Sequence, residues 1–135
     1  MSERLFVYGT LRKGGANSMH HMLGRDSRFV GRARTRGRLY DLGEYPGLVA
    51  SDDTWVHGDL YELADARTVL ARLDEYEGCG PNDARPHEYE RMQCEVLTET
   101  GVRETAWVYL YRGAVAGKRE IPSGDYCGQR DPPGR

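Results

Sequence analysis

Three acids fall within five residues in Leu73-Asp74-Glu75-Tyr76-Glu77, immediately before Gly78. Carboxylates are candidates for proton transfer, and the one best suited is the one the backbone turns away from water. Residues 65–77 predict a helix, with Asp65 supplying a side-chain oxygen as its N-cap and Gly78 as its stop signal. On a wheel of about 100° per residue with Leu70 at zero, Ala66, Val69, Leu73 and Tyr76 fall in one sector roughly 120° wide. Glu77 falls inside that sector, Asp74 sits at its margin, and Arg72, Glu75 and Thr68 lie opposite. A carboxylate aimed at apolar surroundings loses hydration, which raises its pKa from a reference of ~4.3 toward ~6 or above. There it can take and return a proton near neutral pH. Periodicity leaves a second reading open: if the last turn frays and the chain bends at Gly78, Glu77 reaches water or caps a neighbouring loop.

A second candidate feature is the turn Tyr8-Gly9-Thr10-Leu11. Residues 4–10 are rich in β-branched and aromatic side chains and predict a buried strand ending at a glycine. Glycine allows a sharp turn whose N–H groups point outward, an arrangement that suits a carboxylate; an ordinary turn is the alternative. A phosphate-binding loop is excluded. Gly9 and Gly14 have the separation, but Gly15-Ala16 stands where Lys-Ser or Lys-Thr is required.

The remaining elements must position these two features. Ser18 predicts the cap of a short helix over residues 19–23, residues 29–42 read as strand with a break near Gly37, and residues 43–47 read as a loop before extended structure resumes at 48–50. Residues 55–63 alternate as a strand. After a glycine- and proline-bearing loop at 78–87, Met92, Cys94 and Val96 lie on a half-buried strand. The turn Thr98-Glu99-Thr100-Gly101 returns the chain into a partner strand over 103–111. There Trp107, Tyr109 and Tyr111 take one face and Ala106, Val108 and Leu110 the other, so both faces are expected to be covered. Several strands and one good helix predict an α+β domain dominated by antiparallel sheet and curled into a barrel. One domain over residues 1–127 and a disordered tail at 128–135 follow from the length and from Pro132-Pro133.

Composition bounds the rest. With 135 residues, 39% hydrophobic, 30% charged and a net charge of −2, the chain has no apolar run of bilayer length and no overall pull toward nucleic acid. The start Met1-Ser2-Glu3-Arg4 lacks the pattern of a secretory signal, so a cytoplasmic protein is expected, with no membrane partner. Cys79, Cys94 and Cys127 are odd in number and widely spaced, which suits a reducing compartment. His20, His21, His57 and His87 lack neighbours at metal-ligand spacing and are expected to be solvated. Cys79 has no local histidine to activate it, and Glu77 opposes thiolate formation. Arg32, Arg34, Arg36 and Arg38 recur at every second position and predict a solvated or edge-protecting row rather than a nucleic-acid surface.

Six segments in order resemble one known family. Val7-Tyr8-Gly9-Thr10-Leu11-Arg12, Tyr45-Pro46-Gly47-Leu48-Val49, Gly58-Asp59-Leu60-Tyr61-Glu62-Leu63, Leu73-Asp74-Glu75-Tyr76-Glu77, Tyr89-Glu90-Arg91 and Ser123-Gly124-Asp125-Tyr126 are similar to the successive motifs of the γ-glutamylcyclotransferase-like family. The likeness is greatest to its γ-glutamylamine cyclotransferase, or AIG2-like, branch, and it spans residues 5–126. The resemblance implies a small mixed, mainly antiparallel β-barrel with flanking helices and a cavity between the 8–11 loop and Glu77. It implies an enzyme without metal or cofactor, acting on a small-molecule γ-glutamyl substrate whose own α-amine attacks its γ-amide carbonyl. The products are 5-oxoproline and a free amine. By the same resemblance Glu77 is the general acid/base, Tyr8, Gly9, Thr10 and Leu11 hold the substrate, and Tyr89 either bonds the acid or substrate or packs in the core. Ser123 to Tyr126 is expected to be structural, and Arg12, Lys13 and the 78–87 loop are placed to choose the leaving amine. A non-catalytic small-molecule binding domain of the same fold is the reading from a different class.

Overall fold

The computed structural model describes residues 3–9, 25, 27–43, 46–81 and 87–126. Its strands are β1 (Glu3–Val7), β2 (Ser27–Arg36), β3 (Arg38–Asp41), β4 (Pro46–Val49), β5 (Trp55–Leu63), β6 (Tyr89–Thr98), β7 (Arg103–Tyr111) and β8 (Arg119–Glu120), and its helix α1 is Ala66–Tyr76. Five strands close a barrel in the order β1-β5-β2-β6-β7, and a small sheet of order β4-β3-β8 packs beside it. Closure is mixed: β1 runs antiparallel to β5 and parallel to β7, through Leu5 opposite Trp107, while the other barrel pairs are antiparallel.

Alternation along β1 and β7 explains why both strands are apolar on both faces. Phe6 and Tyr8 join Ala106, Val108 and Leu110 inside the barrel, where Leu39, Leu48 and Ile121 of the small sheet and its flank complete the cluster. Leu5, Val7 and Tyr109 point the other way and meet Val69, Leu70 and Leu73 of α1, with Trp107 and Tyr111 at the border. Successive side chains of one strand thus feed two cores. The helix lies on the outside of the strands that form the barrel seam, and its end is delivered beside the end of β1.

Several expectations are corrected. Residues 46–47 belong to β4 rather than to a loop. Pro46 opens an edge strand, where its missing N–H is harmless. Gly47 is there because a Cβ would lie 2.9 Å from both Leu42 and Tyr111 side-chain atoms. The arginine row is solvated over Arg32, Arg34 and Arg36, but β2 lies between β5 and β6 and protects no edge. Arg34 and Arg36 instead stack over Trp55 at 4.5 and 4.0 Å, and Arg38 pairs with Asp53 at 2.6 Å and Glu120 at 3.1 Å. The break at Gly37 is present, with Gly37 N–H donating to Thr54 O at 3.0 Å. Strand β8 was not anticipated, because two residues carry no period. The expected helix at 19–23, Arg12, Lys13, Cys127 and the tail at 128–135 lie outside the described residues.

The Ser123 to Tyr126 segment locks the barrel end as a structural element. Gly124 has φ 68°, its carbonyl accepts from His57 N–H at 2.7 Å, and Tyr126 is buried in the interior cluster. Gly58 of β5 lets β1 pass close beside it: a Cβ there would stand 2.2 Å from the Val7 carbonyl oxygen and 2.7 Å from the Phe6 ring. Gly58→Ala must therefore push β1 away from β5. We expect it to lower unfolding stability by about 3 kcal/mol, read by chemical denaturation, whereas a variant as stable as the wild type would contradict this packing.

Candidate active site

Asp65 caps the start of α1 by accepting from Thr68 N–H at 3.4 Å. The other end is locked rather than frayed. Glu77 is the C-cap residue and donates its N–H to Leu73 O at 2.8 Å, Gly78 takes φ 76° and donates to Glu75 O at 3.2 Å, and Cys79 N–H reaches back to Asp74 O at 2.9 Å. The last two bonds and the left-handed glycine make a Schellman turn, which fixes the direction of the chain on either side of Glu77.

That turn faces a cavity of about 380 Å³ lined by residues that include Tyr8, Gly9, Pro46, Glu77, Tyr89 and Tyr109. Two features identified separately in the sequence, the inward acid and the start of the 8–11 turn, therefore share one space. Burial raises the Glu77 carboxyl from its ordinary range to about 7. Desolvation is the cause: the carboxylate gives up water on the apolar side, and no cation among the described residues offsets the loss.

The tyrosines build the walls with their hydroxyl protons directed into protein. Tyr8 is buried, donates to Tyr109 O at 2.6 Å and accepts from Leu48 N–H at 3.2 Å. Its phenol is pushed far up, first by burial and then by the nearby negative charge of Glu77, so it stays neutral. Tyr89 donates to Pro46 O at 2.8 Å and stacks edge-on with Tyr111, which ties the first residue of β4 to the first residue of β6. A Cβ on Gly9 would come within 3.0 Å of Pro46 Cγ and 3.2 Å of its Cδ. Glycine thus lets the end of β1 lie close against the rim that Tyr89 holds.

Of the sequence candidates, Tyr8, Gly9, Glu77 and Tyr89 meet at the cavity, whereas Thr10 and Leu11 lie outside the described residues. Pro46, from the Tyr45-Pro46-Gly47 motif, also lines it, as do Tyr109 and Glu88, which were not singled out. The hairpin alternation had already placed Tyr109 on the Trp107 face, but nothing local says that this face meets the end of α1. Tyr76 departs from the wheel: it is 48% exposed and stands at the cavity mouth instead of in the core. It lies at the edge of the apolar sector in the last turn, where the barrel wall gives way to the opening. Among the described residues, no three His, Cys, Asp or Glu side chains gather into a metal-holding group.

Comparison with known proteins agrees with this architecture. The profile of the family described as gamma-glutamyl cyclotransferase, AIG2-like, matches residues 5–128. The gamma-glutamylcyclotransferase family protein YtfP of Escherichia coli K12 is 37% identical over 124 residues, covering 91% of this chain and 95% of that protein. The gamma-L-glutamyl-butirosin B gamma-glutamyl cyclotransferase of Niallia circulans is 38% identical over 109 residues, covering 79% of this chain and 65% of that protein. The crystal structure of an AIG2-like protein from Mus musculus superposes with a TM-score of 0.74 at 25% identity, over 99% of this chain and 94% of that one.

A native state that holds the Glu77 proton more tightly than the unfolded chain is most favoured at low pH. The stability contributed is full below about pH 4.5 and is lost as pH rises through about 7. Glu77→Gln cannot ionise, so it is expected to exceed the wild type at pH 8 by on the order of 2 kcal/mol and to differ much less near pH 5. Urea denaturation at both pH values reads this. A Gln variant less stable than the wild type at pH 8 would mean that the carboxylate is not held against apolar surroundings.

Proposed function

The chain belongs to the gamma-glutamyl cyclotransferase, AIG2-like family, and on that premise we propose that it cyclises the γ-glutamyl group of a small γ-glutamyl amine or amino acid. The observation that carries this reading is a carboxyl group raised to about 7 in the wall of a cavity that also takes in the end of β1.

In the proposed reaction the substrate's α-carboxylate sits against backbone N–H groups of Gly9, Thr10 and Leu11, which presents the α-ammonium and the γ-amide carbonyl to Glu77. Glu77, as carboxylate, takes one proton from the ammonium, and the freed amine attacks the γ-carbonyl carbon. A C–N bond forms and closes a five-membered lactam. The bond to the leaving nitrogen then breaks as Glu77 returns that proton to it, and Glu77 carries the second surplus proton from the ring nitrogen to the released amine, so that 5-oxoproline and an ammonium product leave and the carboxylate is restored. Both reacting groups belong to one molecule, so holding it in a near-attack conformation removes much of the entropic barrier.

An ordinary glutamate, with a pKa of ~4.3, is a poor base for an ammonium of pKa ~8, and a raised carboxyl narrows that gap. The tyrosine walls support the same reading from a different side. Tyr8 and Tyr89 direct their protons to backbone carbonyls, so they shape the cavity without competing for the transferred proton. The Niallia circulans relative is itself named for a γ-L-glutamyl compound, γ-L-glutamyl-butirosin B, which is the kind of substrate the proposed reaction requires.

The test is release of 5-oxoproline, followed by mass spectrometry, from a panel of γ-glutamyl amino acids and γ-glutamyl amines. The wild type is expected to turn over at least one of them, with Glu77→Gln lower in kcat by ~10²-fold or more. Equal turnover by both proteins would remove Glu77 from the mechanism. No turnover by either, with binding retained, would make the chain a small-molecule binding domain.

A further inference from the structure

We propose that Asp74 is a positioning residue: its carboxylate, held by Arg91 of β6 and Tyr109 of β7, fixes the last turn of α1 and thereby sets how far Glu77 reaches into the cavity. The inference rests on the role proposed for Glu77, but its decisive measurement does not require turnover.

Asp74 lies at the margin of the helix face that meets the barrel, with a side chain only 17% exposed. Its Oδ1 accepts from Arg91 Nε at 2.8 Å and its Oδ2 from Arg91 Nη2 at 3.1 Å, a fork-on-fork pair that leaves little freedom of rotation. Oδ1 also accepts from the Tyr109 hydroxyl at 2.7 Å. Arg91 is itself braced, with its guanidinium 4.5 Å from the centre of the Trp107 ring. One carboxylate therefore joins the helix to two adjacent barrel strands.

The same residue closes the turn that carries Glu77. The Asp74 carbonyl accepts from Cys79 N–H at 2.9 Å, so residues 74–79 form one ring with Glu77 inside it. Tyr109 extends the linkage to the opposite wall, because its own carbonyl accepts the Tyr8 hydroxyl proton at 2.6 Å. Both ends of the cavity are thus referred to one point on β7. Among the described residues, the titratable groups that share the cavity with Glu77 are Tyr8 at the end of β1, Tyr76 on α1, Glu88 and Tyr89 at the start of β6, and Tyr109 on β7. Burial is the cause of the Glu77 shift, so its value reports how firmly the acid is kept from water.

Asp74→Asn and Asp74→Ala remove the same charge beside Arg91, but only Asn keeps an acceptor for Tyr109 and Arg91. The difference between the two variants therefore isolates the tie from the charge. With ¹³C-carboxyl-labelled glutamate, and the Glu77 signal assigned through Glu77→Gln, the Ala variant is expected to titrate at least one pH unit below the Asn variant. In turnover, Ala is expected to show kcat about tenfold or more below Asn, with KM within about twofold, as for a displaced catalytic group. Identical Glu77 titration in the two variants would overturn the proposal. Should Asp74→Ala fail to fold, Tyr109→Phe cuts one tie without changing charge. A downward shift of Glu77 from the wild-type value then supports the clamp, and no shift overturns it. Absence of turnover in the wild type would count against the proposed reaction alone, since the titration still decides the role of Asp74.

Discussion

The desolvation of one carboxylate organises the site, and most of the fold is arranged around it. Glu77 has its pKa raised to about 7 because the end of α1 is pressed against the barrel where little water reaches the acid. That state costs stability at neutral pH, so it persists only if the surrounding structure over-determines it. Three restraints do so. Val69, Leu70 and Leu73 bury one helix face, the Schellman turn through Gly78 fixes the C-terminal geometry, and Asp74 ties the last turn to β6 and β7. Among the described residues Glu77 loses hydration without a cation beside it, whereas Asp74, three residues earlier, is paired with Arg91.

The barrel seam makes this arrangement possible. β1 and β7 are apolar on both faces because one face fills the barrel and the other receives α1, and the parallel contact between them leaves their ends side by side. Tyr8 emerges at the end of β1 and is anchored to the backbone of Tyr109 on β7, which makes a neutral, immobile post opposite the acid. Gly9 then lets the chain pass closely against Pro46. A largely apolar chamber that takes in the Glu77 carboxyl is the natural product of such a seam.

Much of this was legible in the sequence because it depends on local periods. The 3.6-residue period singled out Glu77 among three acids, and strand alternation assigned Tyr109 and Val108 to opposite faces, as found. The helix stop at Gly78 and the break at Gly37 followed from single glycines. What was not legible depends on contacts distant in sequence. Tyr76 left the core because the barrel wall ends there, Pro46-Gly47 joined a strand because Tyr111 lies over it, and Asp74 found Arg91 and Tyr109 seventeen and thirty-five residues away. Arg34 and Arg36 are solvated, as their alternation indicates, but β2 is internal rather than an edge and both lie on Trp55, which no alternation pattern encodes.

The central claim is that Glu77 is a base whose working range is set by burial. Its most direct test is the pH dependence of kcat/KM for wild-type release of 5-oxoproline. The acid limb of that profile should fall at about 7, matching the titration of Glu77 in the free protein. A profile that is flat between pH 6 and 8, or an acid limb near the ordinary carboxylate range, would contradict it.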